Sequence, residues 1–161
     1  MTLKRVLSAA VLLAVLVLLT VPPGVRAAGD GDSALGARWI AAWNSHDPDK
    51  MLPLFSDDIF YEDVAFSSAN HGKAEVRKFA ADEFDGVPDL ELNLLRADSH
   101  GNHGTIEWIF SGTDKGVFKT GKKFSVRGVS VIDLRDGKIV RNLDFYDSAA
   151  IMRQVGVLPA Q

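Results

Sequence analysis

The sequence predicts an α+β fold in which three helices pack on a strongly curved, mainly antiparallel sheet that closes into a cone. Three observations lead there. First, apolar residues recur at three- and four-residue spacing in two early stretches, Leu35–Trp43 and Val76–Phe84, with a third, short helix signalled between them at Asp47-Pro48. Second, from Leu90 onward apolar and polar residues tend to alternate, the period of strands with one buried face. Third, Asp136-Gly137 lies between two such runs and marks a tight hairpin. Helices placed ahead of an antiparallel meander cover one face of its sheet. A twisted sheet of four or more strands curves, and a helix laid across its concave side leaves room for a ligand.

The chain opens on a leader. Lys4 and Arg5 precede an apolar run from Val6 to Val21, broken by Pro22-Pro23-Gly24, and Val25-Arg26-Ala27 is a small-x-small cleavage pattern. Residues 1–27 therefore read as a secretory signal peptide, so the mature protein is expected to be secreted or periplasmic. The run is shorter than the roughly 20 residues of a membrane span, which makes an uncleaved membrane anchor the minor alternative and leaves no stable span after cleavage. Residues 28–32 read as a Gly/Asp linker and 33–158 as one domain. Cleavage removes Lys4, Arg5 and Arg26, taking the basic count from 18 to 15 against 21 acidic residues, a formal charge of −6. A mildly acidic surface does not attract nucleic acid or anionic lipid. There is no cysteine, which excludes thiol catalysis, thiolate metal sites and disulfide staples.

Taken in order, Asp32 or Ser33 can cap a helix to about Asn44, with Leu35, Trp39, Ala42 and Trp43 on one face. The two tryptophans are a core pair, or one of them walls a pocket. Asp47 caps the next helix and Pro48 opens it, with Met51, Leu52 and Leu54 turned inward before Phe55. Asp57-Asp58 reads as a turn. Ile59, Tyr61 and Asp63 then share one strand face. A carboxylate sharing a face with isoleucine and tyrosine is a candidate for partial burial, which raises its pKa towards general-base use; the alternative is that Asp63 ends the strand and caps the next turn. Ala65–His71 reads as a loop. A helix to about Phe84 follows, with Val76, Phe79, Ala80 and Phe84 as its apolar stripe. Strands are expected over Leu90–Ala97, His103–Thr113, Lys123–Leu134 and Ile139–Tyr146, with turns at 98–104 and 115–122. A last helix, Ser148–Val155, stops at Gly156.

Several segments, in order, carry a resemblance: Trp43-Asn44-Ser45-His46-Asp47, Leu54-Phe55-Ser56-Asp57-Asp58, Tyr61-Glu62-Asp63, His71-Gly72-Lys73, Pro88-Asp89-Leu90, Asp136-Gly137-Lys138-Ile139-Val140, and Asp147 through Gln154-Val155-Gly156. The set resembles the SnoaL-like polyketide cyclases, within the nuclear-transport-factor-two-like cone-fold superfamily. The resemblance implies a curved sheet enclosing a pocket, no cofactor, and an aspartate before the final helix as the acid/base group of an aldol closure. Asp147 matches that aspartate. In the related ketosteroid isomerases the proton-shuttling base matches Asp63. Their tyrosine donor on the first helix is replaced here by Trp39, which does not donate in the same geometry, and their second acidic donor falls near Val129. Both departures argue against steroid isomerisation.

Proton removal beside a carbonyl needs a carboxylate in an apolar wall and a donor for the developing enolate. The carboxylates are Asp63 and Asp147. The wall candidates are Trp43, Phe60, Phe84, Trp108 and Phe145, and the donor candidates Tyr61, His71 and Arg127. Asp147 is equally a helix cap, His71 a loop or cap residue, and Arg127 an ion-pair partner. His46, His71, His100 and His103 form no metal-ligand pattern, so no metal is expected. The expected partner is a small hydrophobic or carbonyl-bearing molecule, and a homodimer through the sheet face bearing Thr105, Glu107, Ile109 and Ser111 is a further expectation. Two functions remain open: an exported cyclase- or isomerase-type enzyme, or a non-catalytic ligand-binding or dimerisation module of the same fold.

Overall fold

Six strands form one sheet in the order β2-β1-β6-β5-β4-β3, with helices laid on its inner face. The structure, a computed structural model, describes residues 30–160, with side chains from Ala34 onward. Residues 1–27, read from the sequence as a signal peptide, lie outside the described residues. The elements are α1 (Asp30–Asn44), α2 (Pro48–Met51) running into a 3₁₀ turn (Leu52–Leu54), β1 (Phe55–Asp63), β2 (Ser68–His71), α3 (Gly72–Gly86), β3 (Glu91–His100), β4 (His103–Thr113), β5 (Lys123–Arg135), β6 (Lys138–Tyr146) and α4 (Ser148–Gln154). All strand pairs are antiparallel except β1 with β6. No helix among the described residues is long and apolar enough to cross a membrane.

The α+β architecture is the one expected, with four differences of detail. Helix α1 begins at Asp30, inside the stretch read as linker. The segment read as a loop before His71 contains an edge strand, β2, whose residues pair with Phe60–Asp63. Its short, polar sequence carries no apolar alternation to announce it. Strands β3 and β4 run on through most of the expected 98–104 turn, which shrinks to Gly101-Asn102. Asp57 and Asp58 are part of β1 and not a turn: they face solvent, paired with Lys73 and Arg135. The β1–β6 register slips between Phe55 and Phe60, just where those two aspartates sit. Such irregularities, repeated between Leu94 and Arg96 and between Asp133 and Leu134, bend a sheet locally.

Packing follows from the periods. Leu35, Trp39, Ile40 and Trp43 turn the apolar side of α1 onto β3 and β4, where Trp39 stacks on Trp108 at 6.4 Å. Each such large apolar side chain contributes about 1.5–3 kcal/mol on burial. Asn44 clips the end of α1 to β3, its amide exchanging two hydrogen bonds of 2.8 Å with the Leu92 backbone. His46 adds a 2.9 Å bond to the Leu90 carbonyl. Gly128 lies opposite Trp108 across the β4–β5 ladder; a Cβ there would fall 2.2 Å from the indole. The hairpin at Asp136-Gly137 has φ of 53° and 74°, the left-handed pair a tight type I′ turn requires.

Candidate functional site

The inner faces of β1 and β6 lie side by side, and their register places acids together. Strand β1 contributes Ile59, Tyr61 and Asp63 to the interior, all 5% exposed or less. Strand β6 contributes Asn142, Asp144 and Tyr146, with Asp63 directly beside Asp144 in the pairing. Helix α3 crosses this face and adds Glu83, one turn beyond Phe79 and Ala80 on its apolar stripe.

Of these residues Asp63, Glu83 and Tyr146 border a cavity of about 440 Å³. Its apolar wall includes Phe66, Phe79, Phe110, Phe118 and Ile151, and its acids are Asp63, Asp82, Glu83 and Asp114. A narrower recess of about 40 Å³ is bordered by Trp39, Trp43, Trp108 and Asp144, and Asp63, Phe79, Glu83, Phe110 and Tyr146 border both spaces. Among the described residues, no lysine, arginine or histidine borders either one. The loop over the wider cavity is held by buried Asp114, whose carboxylate accepts from the Phe118 and Thr120 amides and the Thr120 hydroxyl.

The three inner carboxylates differ in their partners. Asp144 accepts from the Tyr61 hydroxyl, from Ser130 Oγ at 2.6 Å and from Asn142 Nδ2 at 2.7 Å. Ser130 in turn accepts from the Trp108 indole at 2.9 Å. Burial nonetheless pushes the Asp144 carboxyl up to about 6, against those three donors. Asp63 accepts from the Tyr146 hydroxyl at 2.6 Å and the Phe66 amide at 3.2 Å. Burial raises its pKa as well, with those donors opposing. The Glu83 carboxyl has no hydrogen-bond partner among the described residues. Burial, with the neighbouring charges of Asp63, Asp82 and Asp144, lifts it to about 7. Burial thus raises all three carboxyls above the ordinary carboxylate range, Glu83 most clearly. Burial raises both tyrosines, so both stay protonated as donors.

The expected site residues divide accordingly. Asp63, Trp43 and Trp108 border the recess. Tyr61 is fully buried beneath it and serves Asp144, not a ligand. Phe84 is core, packed edge-on against Trp43 at 5.6 Å and over His46 at 5.2 Å. The remaining expectations are corrected. Asp147 lies outside the cavity, 59% exposed: it caps α4 by accepting from the Ala150 amide at 2.9 Å and pairs with Arg153 at 3.3 Å. His71 is exposed at the start of α3, its ring against Phe60 at 5.0 Å on the far side of β1. Phe60 is therefore no cavity wall. Arg127 and Phe145 sit on the outer face of the sheet, where Arg127 pairs with Glu107 at 3.4 Å and Phe145 is 40% exposed. One residue of strand parity separates Phe145 from Asp144 and Tyr146 on the inner face.

Asp144, Tyr146 and Glu83 are not among the site residues that the sequence predicts. A signal for each exists. Asn142, Asp144 and Tyr146 alternate on β6, but a polar strand face is ordinarily assigned to solvent. Glu83 is a charge on the apolar stripe of α3, i+4 from Phe79.

Comparison with known proteins adds the following. The family described as SnoaL-like domain matches residues 37–142. The cyclase aurE of Calcarisporium arbuscula is 31% identical over 119 residues, covering 72% of this chain and 87% of its own. A protein of ketosteroid isomerase-like fold from Catenulispora acidiphila DSM 44928, solved in complex with trimethylamine, superposes with a TM-score of 0.70 at 24% identity, over 76% of this chain and 92% of that one. TsrD from Streptomyces laurentii superposes with a TM-score of 0.69 at 24% identity, over 78% and 95%. The two structural likenesses show a shared fold.

Proposed function

The chain belongs to the SnoaL-like domain family, and from that premise we propose that its cone binds a small, largely apolar carbonyl compound and moves a proton beside the carbonyl. One observation carries this reading: Asp63, Glu83 and Asp144 border one aromatic recess, and the Glu83 carboxyl there has no hydrogen-bond partner among the described residues and a pKa of about 7. A base of that pKa is half ionised near neutral pH, where general-base catalysis is most effective. Glu83, with Asp63 beside it, takes a proton from the carbon next to the carbonyl. The electron pair of that C–H bond becomes the enolate. In ring closure the enolate carbon bonds to a second carbonyl carbon of the same molecule, and the resulting alkoxide takes the proton back. In isomerisation the proton returns to a different carbon. The relative aurE is named a cyclase, which supports ring closure.

The test has two arms. A thermal-shift screen of the mature domain against polycyclic and apolar carbonyl compounds should find stabilising ligands. Such a ligand, held in deuterated buffer at pH 7.5, should exchange its α-hydrogens faster with the protein than with Glu83→Gln. A screen in which no carbonyl compound stabilises the domain refutes the proposal. Asp147 favours a second reading, a ligand-binding module without turnover, because the aspartate marked by the family resemblance faces solvent as a cap. Binding without any protein-dependent exchange is the outcome that selects it.

Export belongs to the same proposal and rests on the basic start, the apolar run and Val25-Arg26-Ala27. N-terminal sequencing should find the exported protein beginning at Ala28. Pairing of two copies through the outer sheet face is supported by Phe145, 40% exposed and paired with Val129 on that face, and sedimentation should give the dimer mass.

A further inference from the structure

Among the described residues five acids border the cavity and the recess, and four of them have partners. Asp63 and Asp144 accept from the donors of the inner face. Asp114 is tied into the loop between β4 and β5, and Asp82 pairs with Lys78 on its own helix. Glu83 borders both spaces and is the one left without a hydrogen-bond partner among the described residues. Its charge interacts with Asp63, Asp144, Tyr61 and Tyr146, which sets the carboxyl inward, over β1 and β6.

The wall of the wider cavity is a continuous arc of rings. Phe118 neighbours Phe66, Phe66 neighbours Tyr146, Tyr146 neighbours Phe110, and Phe110 neighbours Phe124, with centroids 4.9–6.3 Å apart. All five border the cavity. Among the described residues no basic side chain borders either space. An ionised carboxylate in such surroundings lacks both water and a counter-ion, which is unfavourable. It keeps its proton, or it meets a cation that arrives with a ligand. Aromatic rings attract cations, so a wall that excludes water also compensates an ammonium group.

We propose that the cavity also binds apolar amines in their protonated form, with the ammonium group on the Glu83 carboxylate and the apolar body along the ring arc. This goes beyond the reading of the cone as a site for carbonyl compounds, because the amine is held and not transformed. It takes the proton acceptor out of use: the ion pair favours the ionised carboxylate and lowers its basicity. Amine and carbonyl ligands therefore compete for one cavity. Glu83 must give up its proton to form the pair, so binding releases a proton and strengthens as pH rises through about 7. The groups facing Glu83 are Asp63 and Tyr61 from β1, Asp144 and Tyr146 from β6, and Asp82 from α3. The tyrosines stay protonated, and the acids ionise in the same direction, which favours the cation further.

The experiment is calorimetric titration of the mature protein at pH 5.5 and pH 8. The probes are 2-aminotetralin, cationic at both values, and tetralin, the same ring system without the nitrogen. At pH 8, 2-aminotetralin should bind at least about tenfold tighter than tetralin, the effect of one hydrogen bond to a charged group. That preference should fall about tenfold at pH 5.5 and disappear in Glu83→Gln, with tetralin binding changed less than about twofold. The two pH values decide the matter even without the variant. Equal binding of the two probes at pH 8, a preference that does not change with pH, a preference kept in folded Glu83→Gln, or no binding of 2-aminotetralin overturns this inference. If carbonyl compounds still stabilise the domain in that case, the proposed function stands. Binding of 2-aminotetralin with the expected pH dependence, while no carbonyl compound binds, overturns the proposed function and leaves this inference standing.

Discussion

Replacing Glu83 with glutamine should make the protein more stable at alkaline pH. In the folded chain this carboxyl titrates at about 7, against an ordinary value of 4.5. A raised carboxyl pKa means that folding favours the acid form. The stability tied to that proton is fully present below about 4.5 and is lost as pH rises through 7. A shift of about 2.5 pKa units corresponds to roughly 3 kcal/mol between fully protonated and fully ionised states. Part of that is already lost at pH 5, so the stability gap between Glu83→Gln and the parent should widen by about 2 kcal/mol from pH 5 to pH 8. Glutamine keeps the shape and removes the charge that repels Asp63 and Asp144, so relief of those two acids adds to the gain. Urea unfolding at the two pH values, followed by tryptophan fluorescence, measures it directly. In melting temperature the widening is about 8 °C for a domain of this size. A pH-independent difference between parent and variant would show that Glu83 titrates as an ordinary surface acid, and the electrostatic account of the cavity would fail with it.

Three further outcomes follow from the same contacts. Asp147→Ala should cost about 1 kcal/mol, the usual value of an N-cap, and leave ligand-induced stabilisation intact; loss of that stabilisation in a folded variant would restore Asp147 to the site. Tyr61→Phe removes a donor from ionised Asp144 and should raise that carboxyl further above 6, destabilising the domain more at pH 8 than at pH 5; an unmoved Asp144 titration would contradict the assigned bond. Gly128→Ala drives a Cβ into the Trp108 ring and should cost about 1–3 kcal/mol in urea unfolding, whereas a neutral result would mean that the indole has room to move.

The sequence made the scaffold legible because the scaffold depends on local rules. Asp47-Pro48, Asp136-Gly137 and Gly156 punctuate the chain where the structure turns, each for a backbone reason visible in the residue type. Ile59, Tyr61 and Asp63 share a buried face because strand parity allows nothing else. The site was less legible because it depends on which face of each strand turns inward and on which strands become neighbours. Asp144 lies next to Asp63 through the parallel pairing of β6 with β1, a contact between residues 81 positions apart that no local period reveals. Phe145 and Arg127 have the chemistry of a site but lie on the outer side of the sheet, one residue of parity from the inner face. Asp147 matched the family resemblance by position, but its carboxylate is occupied at the end of α4.

The most direct test of a ligand cone with acids held away from water is a ¹³C titration of the side-chain carboxyls in the labelled domain, from pH 4 to pH 9. The account predicts a glutamate signal, assigned with Glu83→Gln, titrating near 7, an aspartate signal for Asp144 near 6, and displacement of both midpoints when a carbonyl ligand binds. Every carboxyl titrating below 5, with no response to any such ligand, would contradict it.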